Sequence, residues 1–231
     1  MERPPKSECK NRRVMTTYNM FPSQIYKARI DPEDYDKNTI IEKAMINYSV
    51  EPNKNAWDID SELHHYYGQM FEAPDEVKTL EKCYDKVIDE YIKSIKTNHN
   101  ELKYRWKMVN FAVNTKYMAA HDHYYQAKGW QSAFSTCHYI SYNWRDHSPT
   151  KFLNPLIFGQ YSYSMTAMSS ALDKSDVNNS TYFQHYTPKV EEDDMIIFPS
   201  YLKHEVINGM KRETDKPRIL GVANVEIKIG D

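Results

Sequence analysis

The sequence predicts one mainly β domain, a sandwich or barrel, with helices confined to its N-terminal part. Three observations predict it. The chain has 231 residues, of which 40% are hydrophobic and 13% aromatic, enough for one domain with a real core. Its hydrophobic period changes once, near residue 100, from helical spacing to alternation. Strand-like runs then follow one another without strand–helix alternation, which argues against a doubly wound nucleotide fold. No internal repeat, low-complexity tract or Gly/Ser linker divides the chain.

Residues 1–20 read as a flexible end. Lys6, Lys10, Arg12 and Arg13 cluster there beside Pro4 and Pro5, and a solvated terminus explains them better than a binding arm. The alternating segment Phe21–Ile30 is expected to form a first strand. Asp31 or Asp34 then caps a helix running towards Tyr48. The clearest helix follows Pro74. Val77, Leu80, Tyr84, Val87, Ile88, Tyr91 and Ile95 recur at three- and four-residue steps and share one face. Asp75 serves as its N-cap, and Lys93 and Lys96 suit its C-terminal end. Such a stripe is core, packed on the outside of a sheet.

From Tyr104 the period is two. Trp106, Met108, Asn110, Ala112 and Asn114 are assigned to one face, Lys107, Val109, Phe111 and Val113 to the other. Further strands are expected at about 117–125, 132–142, 157–167, 180–187, 194–199, 202–208 and 217–228.

Composition excludes several functions. A net charge of −2 provides no field for nucleic acid. Cys9, Cys83 and Cys137 are too dispersed for a zinc ribbon or a redox pair, and their odd number suits a reducing compartment. No apolar run reaches the ~20 residues of a membrane helix, and the N-terminus has no apolar signal region. The expected location is the cytoplasm, where the glycosylation triplets at Asn47, Asn178 and Asn179 mean nothing. The 19 tyrosines suit a wide barrel interior or a half-wet binding surface.

Chemistry is sought among the 9 histidines. His64, His65 and His99 read as surface or packing residues of the helical half, and His138, His147 and His185 have no evident partners in sequence. His121 and His123 stand two apart, so on a strand they project from one face and can share a metal ion. Alone, such a short motif is a weak signal. His204 opens a strand after Asp194-Met195-Ile196-Ile197-Phe198-Pro199-Ser200-Tyr201-Leu202-Lys203. Arg218 shares a strand face with Leu220 and Val222. A guanidinium among apolar neighbours needs an anion, and its planar fork suits a carboxylate, whether of the protein or of a ligand.

In this order, the His-x-His pair, the Asp194–Ser200 strand, His204 and Arg218 resemble the 2-oxoglutarate/iron(II) oxygenases. The likeness is to the small prolyl-hydroxylase-like group of marine bacteriophages and bacteria, whose chains begin on a Phe-Pro strand such as Phe21-Pro22-Ser23-Gln24-Ile25-Tyr26. It spans most of residues 20–228, and Phe198–Val206 is its most specific part. The resemblance implies a double-stranded β-helix (jelly roll) flanked by supporting helices. Residues 21–231 then form one oxygenase domain, with 21–100 as strand plus helical support and 101–231 as the β-helix. It implies iron(II) held by His121, His123 and His204, and Arg218 paired with the far carboxylate of 2-oxoglutarate. Dioxygen is the second co-substrate and a small molecule or peptidyl group the substrate.

Two positions depart from that family's pattern. His123 stands where a carboxylate is usual, and Asp122 points to the opposite strand face unless a bulge re-aims it. Leu220 stands where many relatives have a serine that grips the same carboxylate; Tyr139 or Tyr142 is the candidate replacement. Two other readings stay open: a cupin-type three-histidine dioxygenase without keto acid, and a non-catalytic phage β-sandwich. The tyrosine-rich strands between 157 and 187 are the expected substrate mouth.

Overall fold

A computed structural model of the protein describes residues 23–50, 63–65, 73–95, 102–115, 117–155, 168, 170–173, 175, 176, 179, 182–207, 209–212 and 216–228, with backbone alone at 47–50, 63–65 and 127. The N-terminal basic cluster, Phe21, Pro22, Lys96, His99, the strand expected at 157–167 and Asn178 lie outside the described residues.

The elements are β1 (Tyr26–Arg29), α1 (Lys37–Val50), β2 (Leu63–His65), α2 (Asp75–Ser94), β3 (Lys103–Asn114), β4 (Met118–His121), β5 (Gln126–Ala127), β6 (Trp130–Ser141), β7 (Lys151–Leu153), β8 (His185–Tyr186), β9 (Asp194–Pro199), β10 (His204–Val206) and β11 (Arg218–Lys228). Among the described residues they form two antiparallel sheets. The larger runs β1-β9-β6-β11-β3-β2, with β5 also on β6; the smaller runs β4-β10-β7-β8.

The central strand, β11, separates two cores because successive residues point to opposite faces. Leu220 and Val222 enter an apolar cluster with Tyr139, Tyr142, Ile196, Phe198, Leu202 and Phe152, the last from β7 of the smaller sheet. This cluster fills the interior between the sheets. Ala223 and Val225 face the other way, into a cluster with Val77, Leu80, Tyr84, Ile88, Tyr91 and Ile92 of α2. Helix α1 covers the neighbouring patch, where Ala44, Ile41 and Met45 meet Val113 and Ile219. Gly221 is the point of closest approach between sheet and helix: a Cβ there would run into the Tyr84 hydroxyl.

The expected stripe on α2 is buried except Val87 and Ile95, which are partly buried against the same cluster. Its start differs. Pro74 is the N-cap, with no side-chain hydrogen bond, and Asp75 is the first helical residue, paired with Lys78 at 3.4 Å. The caps of the first helical stretch also divide differently. Asp31 accepts from the Glu33 N–H and caps a short 3-10 turn at Pro32–Asp34. Asp36 accepts from Thr39 N–H at 3.1 Å and opens α1.

Strand β3 breaks the expected alternation. Val222 pairs with Asn110 and Ala223 with Met108, so Val109 is an extra, bulged residue. Beyond it the faces exchange: Phe111 joins Met108 on the helix side, while Asn110, Ala112 and Asn114 lie opposite the inward-facing Val222, Leu220 and Arg218. The sequence run expected at 117–125 divides into β4 and β5. Lys128 (φ 51°) and Gly129 (φ 78°) both adopt left-handed conformations and turn the β5–β6 hairpin. His64 and His65 belong to β2, paired with β3, rather than to a helix.

The helix-side core also holds an imidazole. His138, on β6, is fully buried; its Nδ1 lies 3.1 Å from the Tyr84 hydroxyl, and its Nε2 has no partner among the described residues. Burial, with a smaller contribution from Lys37, lowers its pKa to about 3. No helix of the described residues is long and apolar enough to cross a membrane.

Two expectations follow. Leu80 is fully buried, so Leu80→Ala lowers unfolding free energy by about 2–5 kcal/mol in denaturant titration; a change under ~0.5 kcal/mol contradicts the packing. His138 is held neutral while an unfolded histidine titrates near 6.5. Its contribution is intact above that pH and is lost as pH falls towards about 3, by up to about 1.4 kcal/mol per unit. Replacing His138 by Leu removes one proton's worth of this slope; an unchanged slope between pH 7 and pH 4 contradicts it.

Candidate metal centre

Strands β4 and β10 pair so that His204 lies directly opposite His121. Side chains so paired share one sheet face, and the two ring centroids are 4.4 Å apart. His123 follows two residues beyond β4. Its backbone N–H donates to Ser200 O at 2.9 Å, which brings its ring 5.1 Å from both others. One ligand nitrogen from each of the three lies within 4.8 Å of the others. Asp122 turns back on its own loop, its Oδ1 3.4 Å from Tyr124 N.

Two rings have fixed orientation. His121 Nδ1 lies 2.9 Å from Ala119 O and His204 Nδ1 3.0 Å from Leu202 O. A carbonyl only accepts, so each Nδ1 carries a proton and Nε2 is the ring nitrogen left to face a metal. Burial first, then the neighbouring imidazoles, lowers the pKa of His204 well below its ordinary value. Burial and His121 lower that of His123 to about 4. The set offers nitrogen donors from one side and no carboxylate, which fits a divalent transition ion with open positions.

Ser200, which holds His123, is itself held by a buried hydroxyl chain. Ser132 Oγ and Ser135 Oγ each lie 2.9 Å from Ser200 Oγ, and Ser135 donates to Asn224 Oδ1 at 3.0 Å. His204 sits against the interior, its ring 5.1 Å from Phe198 and 5.8 Å from Phe152.

Arg218, at the start of β11, is only 1% exposed. Its Nη2 donates to Thr150 Oγ1 at 3.0 Å, and its guanidinium stands 5.6 Å from the Tyr139 ring centroid. No carboxylate of the described residues pairs with it, and its Nε has no hydrogen-bond partner among them. Tyr139 donates to the same Thr150 hydroxyl at 2.9 Å. Burial raises its pKa to about 12 against the opposing pull of Arg218, so it remains a donor. Tyr142 packs edge-on against Tyr139, with ring centroids 5.0 Å apart. The positive charge of Arg218 is the smallest of the causes that lower the His204 pKa.

The structure thus brings the three histidines into one cluster and Arg218, Tyr139 and Tyr142 into a second. His138 stands apart from both, whereas the His147 ring borders the second, 5.8 Å from that of Tyr142. His147 is buried, accepting from Asn143 N–H at 3.0 Å through Nδ1 and donating to Lys216 O at 2.8 Å through Nε2. Sequence reasoning missed Thr150. Its setting, Ser148-Pro149-Thr150, reads as a turn, and the strand β7 that starts beside it is too short to show a period.

No protein-family model matches the chain, and no curated protein sequence does. Solved structures superpose on it. A prolyl-4-hydroxylase of Pseudomonas putida superposes with a TM-score of 0.51 at 12% identity, covering 89% of this chain and 93% of that one. A viral collagen prolyl hydroxylase of Paramecium bursaria Chlorella virus 1, solved as a 2OG complex, gives 0.47 at 14% identity, covering 87% and 94%. A Trichoplax adhaerens prolyl hydroxylase, solved with a hypoxia inducible factor peptide fragment, gives 0.49 at 9% identity, covering 87% and 82%. With its mostly antiparallel sheets and two covering helices, the chain has the jelly-roll, double-stranded β-helix fold of the Pseudomonas putida protein.

Proposed function

We propose that the protein is a non-haem iron(II) oxygenase that consumes 2-oxoglutarate and dioxygen. The observation that carries this reading is Arg218: a buried guanidinium, without a carboxylate among the described residues, on the same fold as a cluster of three imidazoles. A fixed buried charge calls for an anion that arrives with a ligand. The fold shared with a prolyl-4-hydroxylase supports it. In this reading 2-oxoglutarate, dioxygen and a C–H bond become succinate, carbon dioxide and an alcohol; the substrate is a small molecule or a peptidyl group.

His121, His123 and His204 hold iron(II) from one side, where the bound ion supplies the redox chemistry and the coordination positions for keto acid and dioxygen. Thr150 fixes the guanidinium of Arg218 by accepting from Nη2, and the Tyr139 ring stacks near it. This leaves Nε for the far carboxylate, with Tyr139 and Tyr142 lining the pocket. Ile196, Phe198, Leu202, Leu220 and Phe152 keep the space between the two groups apolar, which strengthens each electrostatic contact. One observation favours a second reading. His123 replaces a carboxylate, as in a three-histidine dioxygenase that binds its substrate without keto acid. Anaerobic titration separates the two: iron(II) followed by 2-oxoglutarate gives a weak visible charge-transfer band only in the first.

Replacing His204 by Ala is expected to abolish stoichiometric iron(II) binding while circular dichroism stays native; wild-type affinity in the variant removes the cluster from consideration. Replacing Arg218 by Ala breaks no ion pair of the described residues, so the stability loss is modest, whereas 2-oxoglutarate affinity falls by about 2–5 kcal/mol. Lysine at 218 restores part of it, lacking the forked contact. Calorimetry showing equal keto-acid binding in wild type and Arg218→Ala contradicts the reading.

A further inference from the structure

We propose that Asn114 is a second ligand-binding residue of the Arg218 pocket, its side-chain amide donating to the far carboxylate of the keto acid; this rests on the reading of Arg218 given above. Asn114 ends β3 directly opposite Arg218 in the antiparallel ladder. Residues paired in this way project from the same sheet face with Cβ atoms about 4.5–5.5 Å apart. The bulge at Val109 is what puts Asn114 there, since without it the residue would face the helices.

Asn114 is fully buried, yet neither its Oδ1 nor its Nδ2 has a hydrogen-bond partner among the described residues. A buried amide with both ends unmet is costly in a folded protein and rare unless water or a ligand meets it. The neighbouring Arg218 Nε is unmet as well. Two paired residues, one of them carrying a fixed positive charge, thus hold donors unused by the described residues. That donor set suits a carboxylate, which accepts from both.

Gly209 fixes the amide's seat. A Cβ at 209 would run into the Asn114 carbonyl and its Oδ1, so the loop before β11 closes over this side chain with no room to spare. With Oδ1 resting against Gly209, Nδ2 is the end available to a ligand. The assignment also accounts for Leu220. It lies two residues after Arg218 on the same face but belongs to the apolar cluster, so the pocket's second donor comes from the neighbouring strand instead.

The test compares 2-oxoglutarate with pyruvate, which shares the keto-acid end and lacks the far carboxylate, on anaerobic iron(II)-loaded wild type, Asn114→Ala and Asn114→Asp. Expected are an about tenfold loss of 2-oxoglutarate affinity in Asn114→Ala and a larger loss in the isosteric Asn114→Asp, which sets carboxylate against carboxylate. Pyruvate affinity stays the same throughout. The ligand-free thermal midpoint of Asn114→Ala does not fall, because the amide makes no hydrogen bond to the described residues; a structural role predicts a fall of several degrees. Unchanged 2-oxoglutarate affinity in Asn114→Ala, or equal loss for both keto acids, overturns the assignment. If Arg218→Ala weakens 2-oxoglutarate binding and Asn114→Ala does not, the Asn114 assignment alone fails. If wild type binds no 2-oxoglutarate, the reading of Arg218 fails and takes Asn114 with it.

Discussion

A full positive charge lies inside the jelly roll, and no carboxylate of the described residues neutralises it. Everything around Arg218 is arranged so that this charge is bearable. Thr150 accepts one N–H, the face of Tyr139 lies near the guanidinium, and Tyr139 supports Thr150 in turn. The titratable groups that share the interior are held neutral: His204 and His123 as free imidazoles, Tyr139 as a phenol. A second buried cation would repel the first, and a buried carboxylate would occupy the donors that remain. The interior is therefore a positive well with neutral walls.

Strand β11 makes this possible by separating two environments one residue apart. Its inward residues Arg218, Leu220 and Val222 carry the charge and the apolar wall, whereas Ile219 packs on α1 and Gly221, Ala223 and Val225 face α2. The requirement on the helix side is tightest at Gly221, where the Tyr84 hydroxyl takes the place of a side chain. Tyr84 in turn meets His138, the one histidine on β6 and part of the scaffold rather than of either polar cluster. Scaffold and site thus share a strand but not a face, and substitutions on one side need not disturb the other.

Much of this was legible in the sequence because it rests on short-range periodicity. The α2 stripe, the switch to alternation and His204 after a broken apolar strand obey local rules, whereas His123 reaches the cluster from beyond β4 through its backbone bond to Ser200. What escaped depends on pairing. The bulge at Val109 has no signature of its own, and it reverses the faces assigned to the second half of β3. Asn114 was thereby placed with Trp106, which faces α2. Thr150 lies before a three-residue strand whose place is set by β10, not by its own sequence. Asp75 is not the cap because the helix starts one residue earlier: Pro74 is the extended N-cap residue, with ψ 162°, and Asp75 is already helical.

The three histidines are not equivalent in rotational freedom. Folding has already removed the ring rotamers of His121 and His204, since each donates from Nδ1 to a carbonyl two residues earlier in the chain. The ring of His123 makes no hydrogen bond to the described residues; only its backbone is fastened, to Ser200. An ion bound by the three would meet two ligands already oriented and one whose torsional entropy is still to be lost, so His123 would be the ligand whose rotation opens the set.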